Sequence, residues 1–234
     1  MQKNNINILC TRPLNDAIIQ KAAVSNINIE IASFIETTPI LSPNIINEIK
    51  TLSTQKIIAI FTSMNAVEAV TNQINLATDW RFYCLSGTTK DLIIDFWGNE
   101  SIIATAKNSS ELCEKIIQNR NEYPIYFFAG DQRLDSLPAM LNKHSVHFTE
   151  LLVYSTVHTP KKIDSNFDGI VFFSPSAVHS FFSNNVIDAE VVLFSIGDTT
   201  KATIESYVTN KIIMSDFPSK EMIIEKATAY FNNN

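Results

Sequence analysis

Two serine-bearing turns, each closing an apolar run, are the segments of this chain best suited to chemistry. Thr62-Ser63-Met64-Asn65 follows IAIF, and Ser174-Pro175-Ser176 follows VFF. A second pair lies downstream of each, where Ser86-Gly87-Thr88-Thr89-Lys90 is answered by Gly197-Asp198-Thr199-Thr200-Lys201. Small and polar side chains let backbone amides come close to an anion, and a turn that opens a helix adds the unpaired N–H groups of its first turn. The same residues also suit plain N-caps and turns. Arg12 in CTRPLND and Arg133 in GDQRLDS occupy related places. Each could grip a carboxylate in two prongs, or form an ion pair within its own lobe. Tyr154, in LVYSTV, sits where a phenol could reach a ligand or simply pack.

These turns need strands before them and helices after them, and the sequence supplies both. Short β-rich runs alternate with amphipathic stretches, the pattern of a parallel sheet with crossover helices. Strands are expected near 6–10, 27–33, 57–62, 82–85, 101–104, 124–128, 146–152, 169–173, 191–195 and 211–214. Ser42, Ser174 and Ser219 are expected helix caps, as is Ser109 or Ser110. In such a sheet, ligands bind beyond the carboxyl ends of the strands, which is where the repeated turns fall.

The repeat has nearly one offset, since Ser63 and Ser174 are 111 positions apart and Gly87 and Gly197 are 110 apart. Two similar lobes follow, with a ligand expected between them. Counting the strand that leads into each turn, the chain makes five strands from the first, over 57–152, and only three from the second. The missing strand–helix–strand is at the N-terminus, where INILCTRPLNDAIIQKA and INIEIASFI resemble YPIYFFAGDQRLDSLPAML and VHFTELLVY. One lobe is therefore expected to be discontinuous, from residues 1–34 and 160–234, and the other to span 42–151. The crossings at 35–41 and 152–159 are Thr-rich and β-prone, so they are expected to pair as a two-stranded hinge.

Composition narrows the function. With 45% hydrophobic and 18% charged residues the chain reads as an ordinary globular protein. The net charge of −6, with no lysine–arginine cluster, argues against nucleic acid. No apolar run has the length of a membrane span, and no secretory signal is visible. Cys10, Cys84 and Cys113 are widely spaced in apolar or helical surroundings and read as buried thiols of a reducing compartment, hence a cytoplasmic protein. Five scattered glycines form no dinucleotide fingerprint or phosphate loop. No metal-ligand spacing and no nucleophile elbow occur. No cofactor and no metal are expected, and the absence of a sustained apolar surface helix points to a monomer.

The strand leading to Thr11-Arg12-Pro13, then FTSMNAV, the glycine turn at 85–92, NSSEL at 108–112, LLVYST at 151–156, FFSPSAV and IGDTTKA together resemble the uroporphyrinogen-III synthase family, over nearly the whole chain. The resemblance implies two flavodoxin-like parallel α/β lobes joined by a two-stranded linker, the first lobe discontinuous. It implies an enzyme that takes a linear tetrapyrrole with eight carboxylates, hydroxymethylbilane, expels its terminal hydroxyl as water and closes the ring with the last pyrrole inverted. No cofactor is needed for this. The implied roles are a tyrosine, Tyr154, assisting departure of the hydroxyl, and cleft positions at Thr62, Ser63, Ser174, Ser176 and Thr200. Arg12, Asn65, Ser86, Gly87, Thr88, Gly197 and Thr199 complete the substrate-binding set. The first glycine turn departs from the family, which carries a threonine where this chain has Lys90. Either Thr88 or Thr89 supplies that hydroxyl, or Lys90 binds a propionate directly. A non-catalytic tetrapyrrole-binding or sensor protein of the same fold is the alternative, and a periplasmic solute-binding protein a weaker one.

Overall fold

The strands form where apolar residues run without a break, because both faces of each central strand are covered by helices. The computed structural model describes residues 5–76, 78–119 and 122–233. In chain order the elements are β1 (Ile6–Cys10), α1 (Asp16–Val24), β2 (Ile27–Ile31), β3 (Ile35–Pro39), α2 (Pro43–Leu52), β4 (Ile58–Phe61), α3 (Met64–Thr71), β5 (Arg81–Leu85), α4 (Thr88–Trp97) and β6 (Ile102–Ala106). There follow α5 (Ser109–Gln118), β7 (Ile125–Gly130), α6 (Ser136–Lys143), β8 (Thr149–His158), β9 (Gly169–Phe172), α7 (Pro175–Phe182), β10 (Val192–Ser195), α8 (Asp198–Glu205), β11 (Ile212–Met214) and α9 (Lys220–Asn232).

The chain divides into two compact units. One takes in the chain up to Glu36 together with everything from Val157 onward, and the other is Thr37–Thr156. The first holds a five-stranded sheet in the order β11-β10-β9-β1-β2, with every neighbouring pair parallel. Side chains alternate across it: Ile8, Cys10, Val171, Val192 and Phe194 face α1 and α9. Leu9, Ile170, Phe172 and Leu193 face α7 and α8. Numbered within the unit, the spatial order is 2-1-3-4-5, the flavodoxin-like order, whose direction reverses between β1 and β9.

In the second unit the order is β3-β8-β7-β4-β5-β6. Its parallel strands run 5-4-1-2-3 in chain order, so the same arrangement is threaded from a different start, and the reversal falls between β4 and β7. One face carries a ring-rich core in which Trp80 stacks on Trp97 and Phe128, and Phe61 on Phe128. The other face packs Ile60, Tyr83 and Phe127 against Leu112, Ile116, Leu137 and Leu141 of α5 and α6.

Several local expectations change. The strand expected at 146–152 and the crossing expected at 152–159 are one continuous ten-residue strand, β8. Val146 and Phe148 are apolar because they pack under the core before the ladder begins. The crossing strands do pair, with Ile40 N donating to Val153 O and Thr159 N to Phe34 O, both at 2.9 Å. One index rises as the other falls, so the pairing is antiparallel. It adds β3 as a sixth strand to the second sheet rather than standing apart from it. Helix α5 is capped by neither Ser109 nor Ser110. Asn108 accepts from Glu111 N through its side chain, and the Glu111 carboxylate reaches back to Lys107 N.

Candidate functional site

Each unit presents its serine turns at the carboxyl ends of its own strands.

In Thr37–Thr156, β4 ends at Phe61 and Thr62 leads into Ser63, the N-cap of α3. Ser63 Oγ accepts from Asn65 N at 3.2 Å, which satisfies one of the helix's unpaired donors. The same oxygen accepts the phenolic hydroxyl of Tyr154 at 3.1 Å. Thr62, Ser63 and Asn65 are all half-buried. Beyond β5, Ser86 N is tied to Ala106 O at 2.8 Å, and Gly87 caps α4 with φ of +83°, a left-handed conformation that favours glycine. Gly87 contributes no side chain to the cap, so no capping side chain occupies the amides of the first turn of α4. Thr88 and Lys90 are half-buried in that turn while Thr89 is buried, which makes Thr88 the hydroxyl better placed to meet a ligand.

Tyr154 reaches Ser63 because of an irregularity in β8. Ala129 of β7 pairs with Leu152, but Gly130 pairs with Tyr154, so Val153 is an extra residue. A one-residue slip turns every later side chain to the opposite face. Tyr154 therefore packs on the same core as Val153, toward α3, instead of facing away. The phenol then spans the reversal between β4 and β7, the place in an open α/β sheet where ligands bind.

Arg133 is spoken for. Its Nε and Nη2 grip the two carboxylate oxygens of Glu150, the Nη2 contact at 2.6 Å, and its Nη1 meets Asp135. These partners hold the guanidinium's pKa above its ordinary value. Of the two readings open for Arg133, the ion pair within its own unit is the one observed.

In the other unit, the reversal lies between β1 and β9. Thr11 closes the gap there, donating both its backbone N–H at 3.0 Å and its buried hydroxyl at 2.9 Å to Val171 O. Arg12, half-buried, is thereby carried to the carboxyl end of the sheet. Beside it Ser174 caps α7, its Oγ accepting from Ala177 N at 3.2 Å, with Pro175 in the first turn and Ser176 half-buried next to it. After β10, Gly197 opens α8 without a side-chain cap, and a Cβ there would meet nothing within 4 Å. Thr199 is exposed and Thr200 buried, so Thr200 belongs to the packing of α8 more than to an open rim. Lys201 pairs with Glu205 at 3.7 Å on the helix surface, a weak tie.

Sequence reasoning missed Gly130, Asp131 and Gln132. The sign was present, since Gly130-Asp131 ends a strand whose counterpart leads to Arg12, but nothing in the sequence tells that a ring lies over Gly130. Cys10, Cys84 and Cys113 are all buried, and burial pushes the first two thiols up to about 12. Among the described residues no cluster of His, Cys, Asp or Glu is arranged to hold a metal ion. No described helix is long and apolar enough to cross a membrane.

The model of the family "Uroporphyrinogen-III synthase HemD" matches residues 16–225. No curated protein matches the chain. A uroporphyrinogen-III synthetase from Helicobacter pylori 26695 shares the fold with a TM-score of 0.60 at 17% identity, covering 96% of this chain and 99% of that one. A mutant uroporphyrinogen III synthase from the extremely thermophilic bacterium Thermus thermophilus superposes with a TM-score of 0.65 at 10% identity, over 98% and 100% of the two chains.

Proposed function

This chain belongs to the uroporphyrinogen-III synthase family, a family of cyclising lyases, and from that membership we propose how its two sets of turns serve the reaction. The substrate is hydroxymethylbilane, whose electron-rich terminal pyrrole expels its hydroxyl once that oxygen is protonated. The hydroxyl leaves as water and the last ring attacks through its substituted carbon. The resulting spiro intermediate fragments and recloses, the ring now inverted. The proton given to the leaving oxygen is recovered when the new junction loses its own, so no net acid is consumed.

Such chemistry needs one modest acid and a shape that favours the harder closure. Tyr154 is the proposed acid. A phenol with an unperturbed pKa of roughly 10 is protonated at neutral pH and can donate. Its contact with Ser63 Oγ is the observation that carries this reading, because it holds the hydroxyl at a fixed point over the strand reversal. Ser63 has a hydroxyl proton of its own to turn outward, so the pair can pass a proton on without the ring moving.

The amides opening α3, α4, α7 and α8 are the proposed anion sites, helped by Thr62, Asn65, Ser86, Thr88, Lys90, Ser176, Thr199 and Arg12. Ser174 acts chiefly by fixing the start of α7, and Thr200 by packing within α8. A net charge of −6 does not preclude an octa-anion, since charges beyond a Debye length of about 8 Å are screened and local donors decide. Holding the linear chain in the one geometry that closes with inversion is worth several kcal/mol, about the size of effect positioning supplies. Three buried free cysteines fit a chain working in the cytoplasm, and because both sets of turns belong to one chain a monomer suffices.

The test is direct. Freshly made hydroxymethylbilane is incubated with the protein and the oxidised products are separated by chromatography. Type III isomer should dominate. Type I product in the yield of the protein-free control would overturn the reading.

A further inference from the structure

We propose that Gly130 is a positioning residue for Tyr154, and that the segment Gly130-Asp131-Gln132 forms the seat in which the phenol is held. The proposal rests on the role given to Tyr154 above and adds what sets that role.

A Cβ at Gly130 would lie 2.3 Å from Cζ of Tyr154, 2.5 Å from Cε2 and 2.7 Å from the hydroxyl oxygen. Positive φ among the described glycines is confined to Gly87 and Gly98, so at Gly130 it is space, and not backbone conformation, that demands a glycine. Every other residue would drive the ring off the end of β7. The ring cannot yield deeper into the protein, because Tyr154 already packs against the core that includes Phe61, Phe128 and Val153.

The backbone around the ring is tied at three further points. Asp131 N donates to Tyr154 O at 3.1 Å. Asp131 Oδ1 accepts from Thr156 N at 2.9 Å, and Gln132 Nε2 donates to Thr156 O at 2.7 Å. Two residues beyond Gly130 thus hold β8 on the far side of Tyr154, while the extra residue Val153 fixes the near side. A bulge re-aims a side chain only as firmly as the strand around it is held, and here the holding residues follow the glycine directly. Gly130 leaves the room, the bulge turns the ring into it, and Asp131 and Gln132 keep it there.

The consequence is specific to the reaction. Gly130→Ala displaces the ring by an ångström or more, and misplacement on that scale costs about 10²-fold in rate. The loss should fall on kcat with KM little changed, since Gly130 is not among the proposed anion sites. It should also fail to add to that of Tyr154→Phe, because both act through one hydroxyl.

The experiment measures kcat and KM for type III formation in Tyr154→Phe, Gly130→Ala and the double variant, alongside thermal unfolding of each. Support is a comparable kcat loss in both single variants and a double variant within about threefold of Tyr154→Phe. Additive losses, or a Gly130→Ala enzyme with full kcat beside an impaired Tyr154→Phe, would overturn the positioning role. Full activity in Tyr154→Phe would instead overturn the acid, and with it this proposal. Should Gly130→Ala not fold, Asp131→Ala and Asp131→Asn decide. Asparagine keeps the Oδ1 that accepts from Thr156 N, so it should restore the kcat that alanine loses. Equal and full activity in both would sink the idea.

Discussion

At the level of single residues, one oxygen is shared by two donors. Ser63 Oγ caps α3 and receives the Tyr154 phenol, whereas among the described residues Ser174 Oγ caps α7 and receives no phenol. Ser63→Ala and Ser174→Ala should each lose about 1 kcal/mol of stability as caps. Only Ser63→Ala should also depress kcat strongly, and parallel denaturant titrations and initial rates would separate the two effects. Tyr154→Phe should lower turnover by roughly 10²-fold while costing no more than about 1 kcal/mol for one lost hydrogen bond. Unchanged turnover would make Tyr154 a packing residue. The turns themselves were legible in the sequence because a serine before a helix start has few alternatives. The partners of Arg133 were not, since Glu150 lies 17 positions away and meets it only through the pairing of β7 with β8.

At the element scale the strands could be read because burial on both faces leaves an unbroken apolar run, as in IAIF and GIVF, where every residue is buried. Where one side of the ladder opens, the reading slipped. Val146 and Phe148 suggested a strand three residues early, and the bulge at Val153 leaves no mark in composition, because a valine suits both a bulge and a regular strand. The cap of α5 shows the same limit, for Asn108, Ser109 and Ser110 are all competent caps in isolation. The observed bond from Glu111 N to Asn108 predicts that Asn108→Ala costs about 1 kcal/mol of unfolding free energy and Ser109→Ala only a few tenths. Equal effects would return the cap to the serine. Gly169 gives a further element-level test. A Cβ there would sit 3.0 Å from Phe231 and 3.1 Å from Phe194, so Gly169→Ala should destabilise by about 1–3 kcal/mol through overpacking between β9, β10 and α9.

At the scale of the whole molecule, two units repeat one arrangement of strands with a different chain start, and each brings capped helix starts and one strand reversal to the same end of its sheet. The offset between the two serine turns made this repeat visible in the sequence. The pairing of the crossings was expected from the sequence, but that β8 runs unbroken from the second sheet into its crossing, and so brings β3 into that sheet, is a matter of strand continuity that sequence alone does not register. Burial of Cys10 in one sheet and Cys84 in the other ties stability to pH in both. With folded pKa values raised from 9.0 to about 12, both thiols hold their protons more tightly when folded, so their contribution is complete below about pH 9 and is lost as pH rises from there toward 12. Denaturant midpoints should therefore fall on the alkaline side, and both thiols should resist alkylation near pH 8 until the chain unfolds. A flat midpoint across that range would contradict the burial. Whether the proposed anion sites and Tyr154 impose the inverted closure is read from the isomer ratio formed from hydroxymethylbilane. Type III product is expected from the intact chain and a shift toward type I from Tyr154→Phe. Type I product from the intact chain, at the protein-free rate, would contradict it.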